Sequence, residues 1–391
     1  MTDPFLPYGR QLIDADDIAA VTRVLTSDYL TTGPEVPAFE SEFSAAVDAP
    51  CAVACNSATA ALHLALAGLG VGEGDICIVP SLTFLATANA ARYCGADVVF
   101  ADVDPQTGLL TAQTLSAALE RAGGRARAVL PVHLAGALCD MTQIGQAARR
   151  ADLFIVEDSC HALGTLGPDG ASGNCARSDA ATFSFHPVKT LAAGEGGMLT
   201  TRNPALAGRA AELRSHGVVR DRARFTRLNG AVEPWAYEMQ ALGHNYRMPD
   251  ILAALGRSQL AKLADFAERR RRLAALYAEA LAPLAPLVSA PVDQPGVDPC
   301  RHLMNVRIDF EAAGVARAEV TARLRAAGIG SQVHYVPVHA QPYYVELYGE
   351  QTLPGAEAYY RRTLSLPLYP AMADGDVARV AAALAGALGI A

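Results

Sequence analysis

Lysine is scarce in this chain: Lys189 and Lys262 are the only two among 391 residues. Lys189 ends the run Ser184-Phe185-His186-Pro187-Val188-Lys189, and Gly194-Glu195-Gly196-Gly197 follows closely. A lysine in a partly desolvated pocket can keep its amine unprotonated and attack a carbonyl. An ordinary solvated loop lysine is the competing explanation. A second run is Ile155-Val156-Glu157-Asp158-Ser159-Cys160-His161. Its two carboxylates and histidine follow an apolar stretch that reads as a buried strand, and open α/β sheets bind ligands beyond such strand ends. A helix N-cap would use the same residues. The third run is Cys55-Asn56-Ser57-Ala58-Thr59-Ala60. Small polar residues opening a helix either cap it or offer backbone N–H groups and hydroxyls to a phosphate.

In chain order these are a phosphate-type helix start, a strand-end Asp and a loop Lys. Pyridoxal phosphate needs those three parts. Asp158 would hold a protonated ring nitrogen, Lys189 would carry the covalent link, and the Ser57 helix start would hold the phosphate.

The elements that must position these groups can be read from periodicity. Short β-branched runs at 51–55, 76–80, 97–101, 128–133, 153–157, 181–185 and 197–201 alternate with helical patterns such as 58–69, 83–93, 111–122 and 141–150. Strands alternating with helices predict βαβ units and a mostly parallel sheet covered on both faces. Residues 249–284 have long helical periodicity, and a proline-rich connection spans 283–299. Beyond it, a strand at 305–309, a helix at 317–327, a strand at 330–335 and a last helix at 374–388 read as a small α+β domain. The expected division is a large domain over 1–250, with an N-terminal segment, and a connecting helix plus small domain over 251–391.

Composition excludes several classes. With 51% hydrophobic and 18% charged residues, whole-chain disorder is excluded. Net charge is −8 and no basic tail is present, which argues against a nucleic-acid footprint. The dense basic stretch Arg269–Arg272 sits in a helical pattern and reads as a solvated face. No apolar window is long enough to span a membrane, and the first residues lack a signal-peptide pattern, so a cytoplasmic protein is expected. The eight cysteines form no C-x-x-C pair, which points to buried reduced thiols rather than a metal site.

Seven runs together resemble one family. They are Asn56–Leu62 (NSATAAL), Pro80–Thr87 (PSLTFLAT), Glu157–Gly164 (EDSCHALG), Ser184–Lys189 (SFHPVK), Gly194–Gly197 (GEGG), Arg214–Gly217 (RSHG) and Gly243–Met248 (GHNYRM). In this order they are similar to the DegT/DnrJ/EryC1/StrS sugar-nucleotide aminotransferases over nearly the whole chain. The resemblance implies a fold-type-I pyridoxal phosphate enzyme: an α/β large domain with a mostly parallel sheet, plus a small C-terminal α+β domain. It also implies a homodimer with shared active sites. Tyr8-Gly9-Arg10, Ser27–Pro34 and Gln332–Tyr344 are more closely similar to the branch that acts on pseudaminic acid precursors. That branch aminates C4 of a UDP-4-keto-6-deoxy-N-acetyl-hexosamine, with glutamate as the expected donor. Ala192 and Ala193 stand where that branch commonly has hydroxyl residues, and His244 where many relatives have an aromatic.

Roles implied by the resemblance follow the motifs. Lys189 would link the cofactor and shuttle the proton, and Asp158 would pair with the ring nitrogen. Phe84 would stack on the ring and His161 would sit near its phenolic oxygen. Ser57, Ala58, Thr59 and Ser184 would hold the phosphate, joined by Asn245 from the partner subunit. Tyr8, Asp28, Tyr29, Leu30, Thr31, His186, Gln332, Val333, His334 and Tyr335 would line the sugar-nucleotide pocket. No residue stands out as a clamp for the donor's carboxylate.

Overall fold

The computed structural model describes residues 4–228 and 233–390. Seven strands form the central sheet: β1 (Cys51–Cys55), β2 (Ile76–Pro80), β3 (Asp97–Ala101), β4 (Ala126–Val129), β5 (Phe154–Asp158), β6 (Ala180–Ser184) and β7 (Gly197–Thr201). Their order is β1-β7-β6-β5-β4-β2-β3. Only β7 runs against its neighbours, β1 and β6, and the remaining pairs are parallel. These strands are apolar on both faces because helices cover both sides. Leu62, Leu64 and Leu66 of the helix Ala58–Gly68 pack in one core with Ile78, Val79, Phe100 and Ile155.

A second core lies in the small domain. It is built on β8 (Val288–Ser289), β9 (Met304–Ile308) and β10 (Thr363–Leu366), all antiparallel. Leu273, Tyr277, Val306, Leu324, Leu366 and Leu384 fill it, and Leu6 of the N-terminal segment joins it. The N-terminal segment is thus tied to the small domain, where Leu6 exchanges backbone hydrogen bonds with Gly328 and Gly330. Conversely Val338, Tyr344, Leu353 and Tyr359 pack in the large-domain core. Segments from either side of residue 250 thus pack in each of the two cores.

Several elements differ from the sequence reading. β4 ends at Val129 instead of continuing to His133, because Pro131 cannot donate to a ladder and His133 turns to Glu157. The long helix breaks into Asp250–Leu260 and Leu263–Leu281. At the break Lys262 pairs with Asp14, which caps the helix Ala15–Leu25, and with Asp17 inside it. Residues 330–335 form no strand, only an isolated bridge between Gln332 and Ser365. The Arg269–Arg272 run is not a solvated face. Arg270 is buried and donates to the carbonyls of Arg301, His302 and Leu368, while Arg269 and Arg271 also reach backbone carbonyls. Helices at Ala15–Leu25, Glu35–Val47 and Pro204–Arg214 had no counterpart in the reading. All eight cysteines are free thiols. Among the described residues no helix is long and apolar enough to cross a membrane.

Candidate active site

A cavity of about 650 Å3 opens at the C-terminal ends of β5 and β6, where the sheet meets the small domain. Lys189 sits on its wall, on the loop between β6 and β7. That loop is closed by Ala193 N–H donating to the Phe185 carbonyl and Phe185 N–H to the Gly196 carbonyl. Phe183 and Phe185 anchor it from behind, with ring centroids 5.0 Å from Phe43 and 5.2 Å from Phe39 respectively. Among the described residues no carboxylate lies within ion-pair distance of the Lys189 amine. Burial lowers its pKa from the ordinary lysine value, opposed by Cys160 and Asp158. A buried lysine without an ion pair is one that can give up its proton.

Asp158 ends β5 and is buried on the same cavity. Thr87 Oγ1 donates to its Oδ2 at 2.7 Å, and Cys160 N–H donates to its Oδ1 at 3.2 Å. Phe84, more than half exposed, lies across the cavity with its ring centroid 6.0 Å from Tyr335.

The helix Ala58–Gly68 starts on the cavity wall. Ser57 caps it, its Oγ accepting from Ala60 N–H at 3.1 Å. The N–H groups of Ala58 and Thr59 find no protein partner among the described residues, so two donors remain at a positive helix terminus. Gly197, the first residue of β7, permits this arrangement. A Cβ there would collide with the backbone of Ser57 and Ala58. Ser184, at the end of β6, faces the same opening.

Histidines crowd the remaining wall. Ala135 N–H donates to His161 Nδ1 at 3.3 Å, and His161 Nε2 is 3.1 Å from the Tyr335 hydroxyl. His302 packs against His161 with the rings tilted and their centroids 4.5 Å apart. His334 Nδ1 is 2.8 Å from Ser365 Oγ, and its ring is 5.6 Å from Tyr8. Burial, with the nearby Lys189 charge, pulls the His334 pKa down to about 3. The same two causes, with neighbouring rings, push His161 and His302 well below the usual histidine value. These imidazoles are neutral.

Of the residues singled out by sequence, Tyr8, Ser57, Ala58, Thr59, Phe84, Asp158, His161, Ser184, His186, Lys189, Gln332, Val333, His334 and Tyr335 meet at this cavity. Asp28, Tyr29, Leu30 and Thr31 do not line it within one chain. Their turn is exposed and held elsewhere, by Asp250 N–H donating to the Leu30 carbonyl at 3.0 Å. Asn245 also lies outside the cavity of its own chain. It bridges to Ser215, and its carbonyl accepts from Asn56 Nδ2 at 3.4 Å. Sequence reasoning missed His302, Cys160, Glu195 and Gln341, which line the cavity too. Cys160 was visible inside the Asp158 run. His302 had no signal, because it enters from a proline-rich connection. Among the described residues no cluster of three or more His, Cys, Asp or Glu side chains is arranged to hold a metal ion.

A buried lysine, a strand-end aspartate and an open helix terminus on one cavity define a pyridoxal phosphate enzyme scaffold. Comparison narrows this: residues 11–385 match the model of the DegT/DnrJ/EryC1/StrS aminotransferase family, and the chain belongs to that family. The spore coat polysaccharide biosynthesis protein SpsC of Bacillus subtilis is 43% identical over 376 residues, covering 95% of this chain and 94% of SpsC. Helicobacter pylori PseC, an aminotransferase involved in the biosynthesis of pseudoaminic acid, superposes with a TM-score of 0.89 at 26% identity, covering 98% of this chain and 99% of PseC. The PLP form of the sugar aminotransferase Spr1654 from Streptococcus pneumoniae gives 0.87 at 28% identity over 100% of this chain and 99% of its own.

Proposed function

We propose that this protein is a pyridoxal phosphate-dependent sugar aminotransferase. It would move an amino group from glutamate to C4 of a UDP-4-keto-6-deoxy-N-acetyl-hexosamine. The reading is carried by one observation: Lys189, Asp158 and the Ser57 helix start converge on a single cavity of a size that suits a cofactor and a sugar.

The residues present fit the cofactor. The Ala58 and Thr59 N–H groups, with the Ser57 and Ser184 hydroxyls, would hold its phosphate. Asp158, fixed by Thr87, would accept from the protonated ring nitrogen. Phe84 would cover one ring face. When bound, pyridoxal phosphate supplies an electron sink for the carbon that gains or loses the amino group. Lys189 Nζ, its pKa lowered by burial, would take and return the proton at that carbon. Tyr8, Gln332 and His334 at the rim would contact the acceptor sugar nucleotide. The relatives act in polysaccharide and pseudoaminic acid biosynthesis, which supports a nucleotide-linked keto sugar over a free amino-acid partner alone.

In this reading the enzyme is a cytoplasmic homodimer with shared sites. The exposed apolar residues Trp235, Tyr237, Met239 and Leu242 lie close in sequence to Asn245 and support a contact between copies there. Eight free thiols agree with a reducing compartment. Reduction of the cofactor-loaded protein with borohydride, followed by peptide mapping, tests the central assignment. Label on Lys189 is expected. Label on Lys262, which is already paired with Asp14 and Asp17, would refute it.

A further inference from the structure

We propose that Asn56 and His63 are positioning residues that couple the two cofactor sites of the dimer. They do so by tying each chain's own phosphate-binding helix to the segment that carries Asn245. The inference rests on the cofactor and shared-site readings above, neither of which gives Asn56 or His63 a role.

Each chain presents two elements to a phosphate. One is the start of the helix Ala58–Gly68, where the Ala58 and Thr59 N–H groups are open. The other is Asn245, an exposed residue whose side-chain amide has no partner among the described residues. Asn245 lies outside its own cavity, so the phosphate it serves is the one bound by the other subunit.

These elements are distant in sequence, yet they touch at two places in the fold. Asn56 directly precedes the Ser57 cap. It donates its N–H to the Tyr246 carbonyl at 2.8 Å and its Nδ2 to the Asn245 carbonyl at 3.4 Å. His63, buried further along the same helix, has its Nδ1 3.2 Å from the Tyr246 hydroxyl. On its other side the Asn245 segment has no slack. Tyr246 N–H donates to the Arg214 carbonyl at 3.0 Å, His244 N–H donates to the Leu213 carbonyl at 2.7 Å, and Asn245 itself bridges to Ser215. The His244 and Tyr246 rings stack with centroids 4.6 Å apart. Gly243 permits this close approach, since a Cβ there would collide with the backbone of His216 and Gly217. A shift at Asn56 is therefore passed on to Asn245 instead of being absorbed between them.

Both elements lose freedom when they hold a phosphate. Because Asn56 and His63 join them, ordering one orders the other. Cofactor bound at the Ser57 helix start of one subunit fixes that chain's Asn245 for the second site, and the second cofactor binds at a lower ordering cost. By linkage the second site favours the first by the same factor.

The test is an equilibrium titration of cofactor-free protein with pyridoxal phosphate, read by the visible band. It compares wild type, Asn56→Ala/Tyr246→Phe and Asn245→Ala. Tyr246→Phe removes the hydroxyl that His63 meets and keeps the ring that stacks on His244. A tenfold coupling between two sites corresponds to a Hill coefficient of about 1.5, which is expected for wild type. Asn56→Ala/Tyr246→Phe should still bind cofactor, with the coefficient reduced to about 1. Each single change should lower it part of the way, so the outcome does not depend on the double variant folding. Asn245→Ala should weaken binding and abolish the cooperativity. Non-cooperative binding in wild type overturns the proposal, and so does a coefficient unmoved in the double variant or in Asn245→Ala. A protein that stays monomeric, or gains no visible band, brings down the shared-site or the cofactor reading and the proposal with it. The missing dimer or band tells that failure apart from loss of coupling alone.

Discussion

Glu157 and Asp158 are consecutive on β5, yet their carboxylates face opposite sides of the sheet, as the alternation of a strand requires. Glu157 Oε2 lies 2.6 Å from His133 Nε2, beside a second cavity of about 520 Å3. His133 Nδ1 meanwhile accepts from Cys139 N–H at 3.1 Å. This pair ties the segment that follows β4 to β5. Asp158 instead presents its carboxylate to the cavity that holds Lys189. One carboxylate holds the scaffold and the other holds chemistry.

Exchanging each for its amide should separate the two roles. Asp158→Asn should keep the fold and bind cofactor. Its turnover should drop by roughly thirtyfold or more, since losing one partner of a buried charged pair costs about 2–5 kcal/mol. Glu157→Gln should instead lower the thermal midpoint while the folded fraction still turns over. Calorimetry and single-turnover rates on both variants check this. Near-normal turnover in Asp158→Asn would remove the aspartate from the mechanism.

The histidines around Lys189 give stability a pH dependence with a definite sign. His161, His302 and His334 have pKa values below those of the unfolded chain, near 3 for His334. The unfolded state therefore binds more protons once pH falls below about 6.5. Stability is present above that value and is lost as pH falls toward the folded values. Each such group contributes about 1.4 kcal/mol per pH unit inside that interval. Melting curves of cofactor-free protein at decreasing pH should show this decline. His302→Leu, which removes a ring whose Nδ1 is buried without a partner, should make the decline shallower. An unchanged slope would show that His302 does not titrate between the two states.

Much of this site could be read from the chain because its parts are local. The edges of β1, β2, β3 and β7 coincide with apolar runs bounded by turn residues, and Lys189 stands out by the rarity of lysine. What escaped was non-local. Gln332–Tyr335 has strand-like composition, but among the described residues only Gln332 makes a backbone bridge, with Ser365, and the segment lines the cavity instead. His302 and Arg270 have no neighbours in sequence that announce them. Both are buried where the chain beyond the proline-rich connection meets the helix Leu263–Leu281, Arg270 donating to the carbonyls of Arg301 and His302. The turn Asp28–Thr31 carries a motif, yet a single chain holds it away from its own cavity through Asp250.

Sharing of the site between subunits is open to a complementation test. Lys189→Ala removes the amine from its own cavity. Asn245→Ala alters a residue that lies outside its own cavity and close to the exposed apolar stretch ending at Leu242. If Asn245 completes the partner's phosphate site, each variant alone is inactive. A mixture would then form heterodimers with one intact site, and activity should return to a fraction of wild type. Subunit exchange is verified independently by differently tagged chains. No recovery after proven exchange would count against a shared site.

Selectivity for the acceptor must come from the rim, because the cofactor chemistry is common to the family. Tyr8 and His334 stand 5.6 Å apart there, and Gln332 lies on the same wall. Together they offer aromatic faces and polar groups to a uracil or an acetamido substituent. A site built to hydrogen-bond a substrate group rejects an analogue lacking it by roughly four orders of magnitude in favourable cases, whereas a lost methylene costs only about 1–3 kcal/mol. Removing the N-acetyl group should therefore lower kcat/KM far more than trimming an apolar substituent does. Tyr8→Ala and Gln332→Ala should shrink that discrimination without altering the visible spectrum of the bound cofactor. The measurement is a panel of UDP- and dTDP-linked 4-keto-6-deoxy sugars, each assayed for kcat/KM. If dTDP-4-keto-6-deoxyglucose is turned over as well as the UDP-linked N-acetyl sugar, the acceptor is a different keto sugar and the rim recognises neither group.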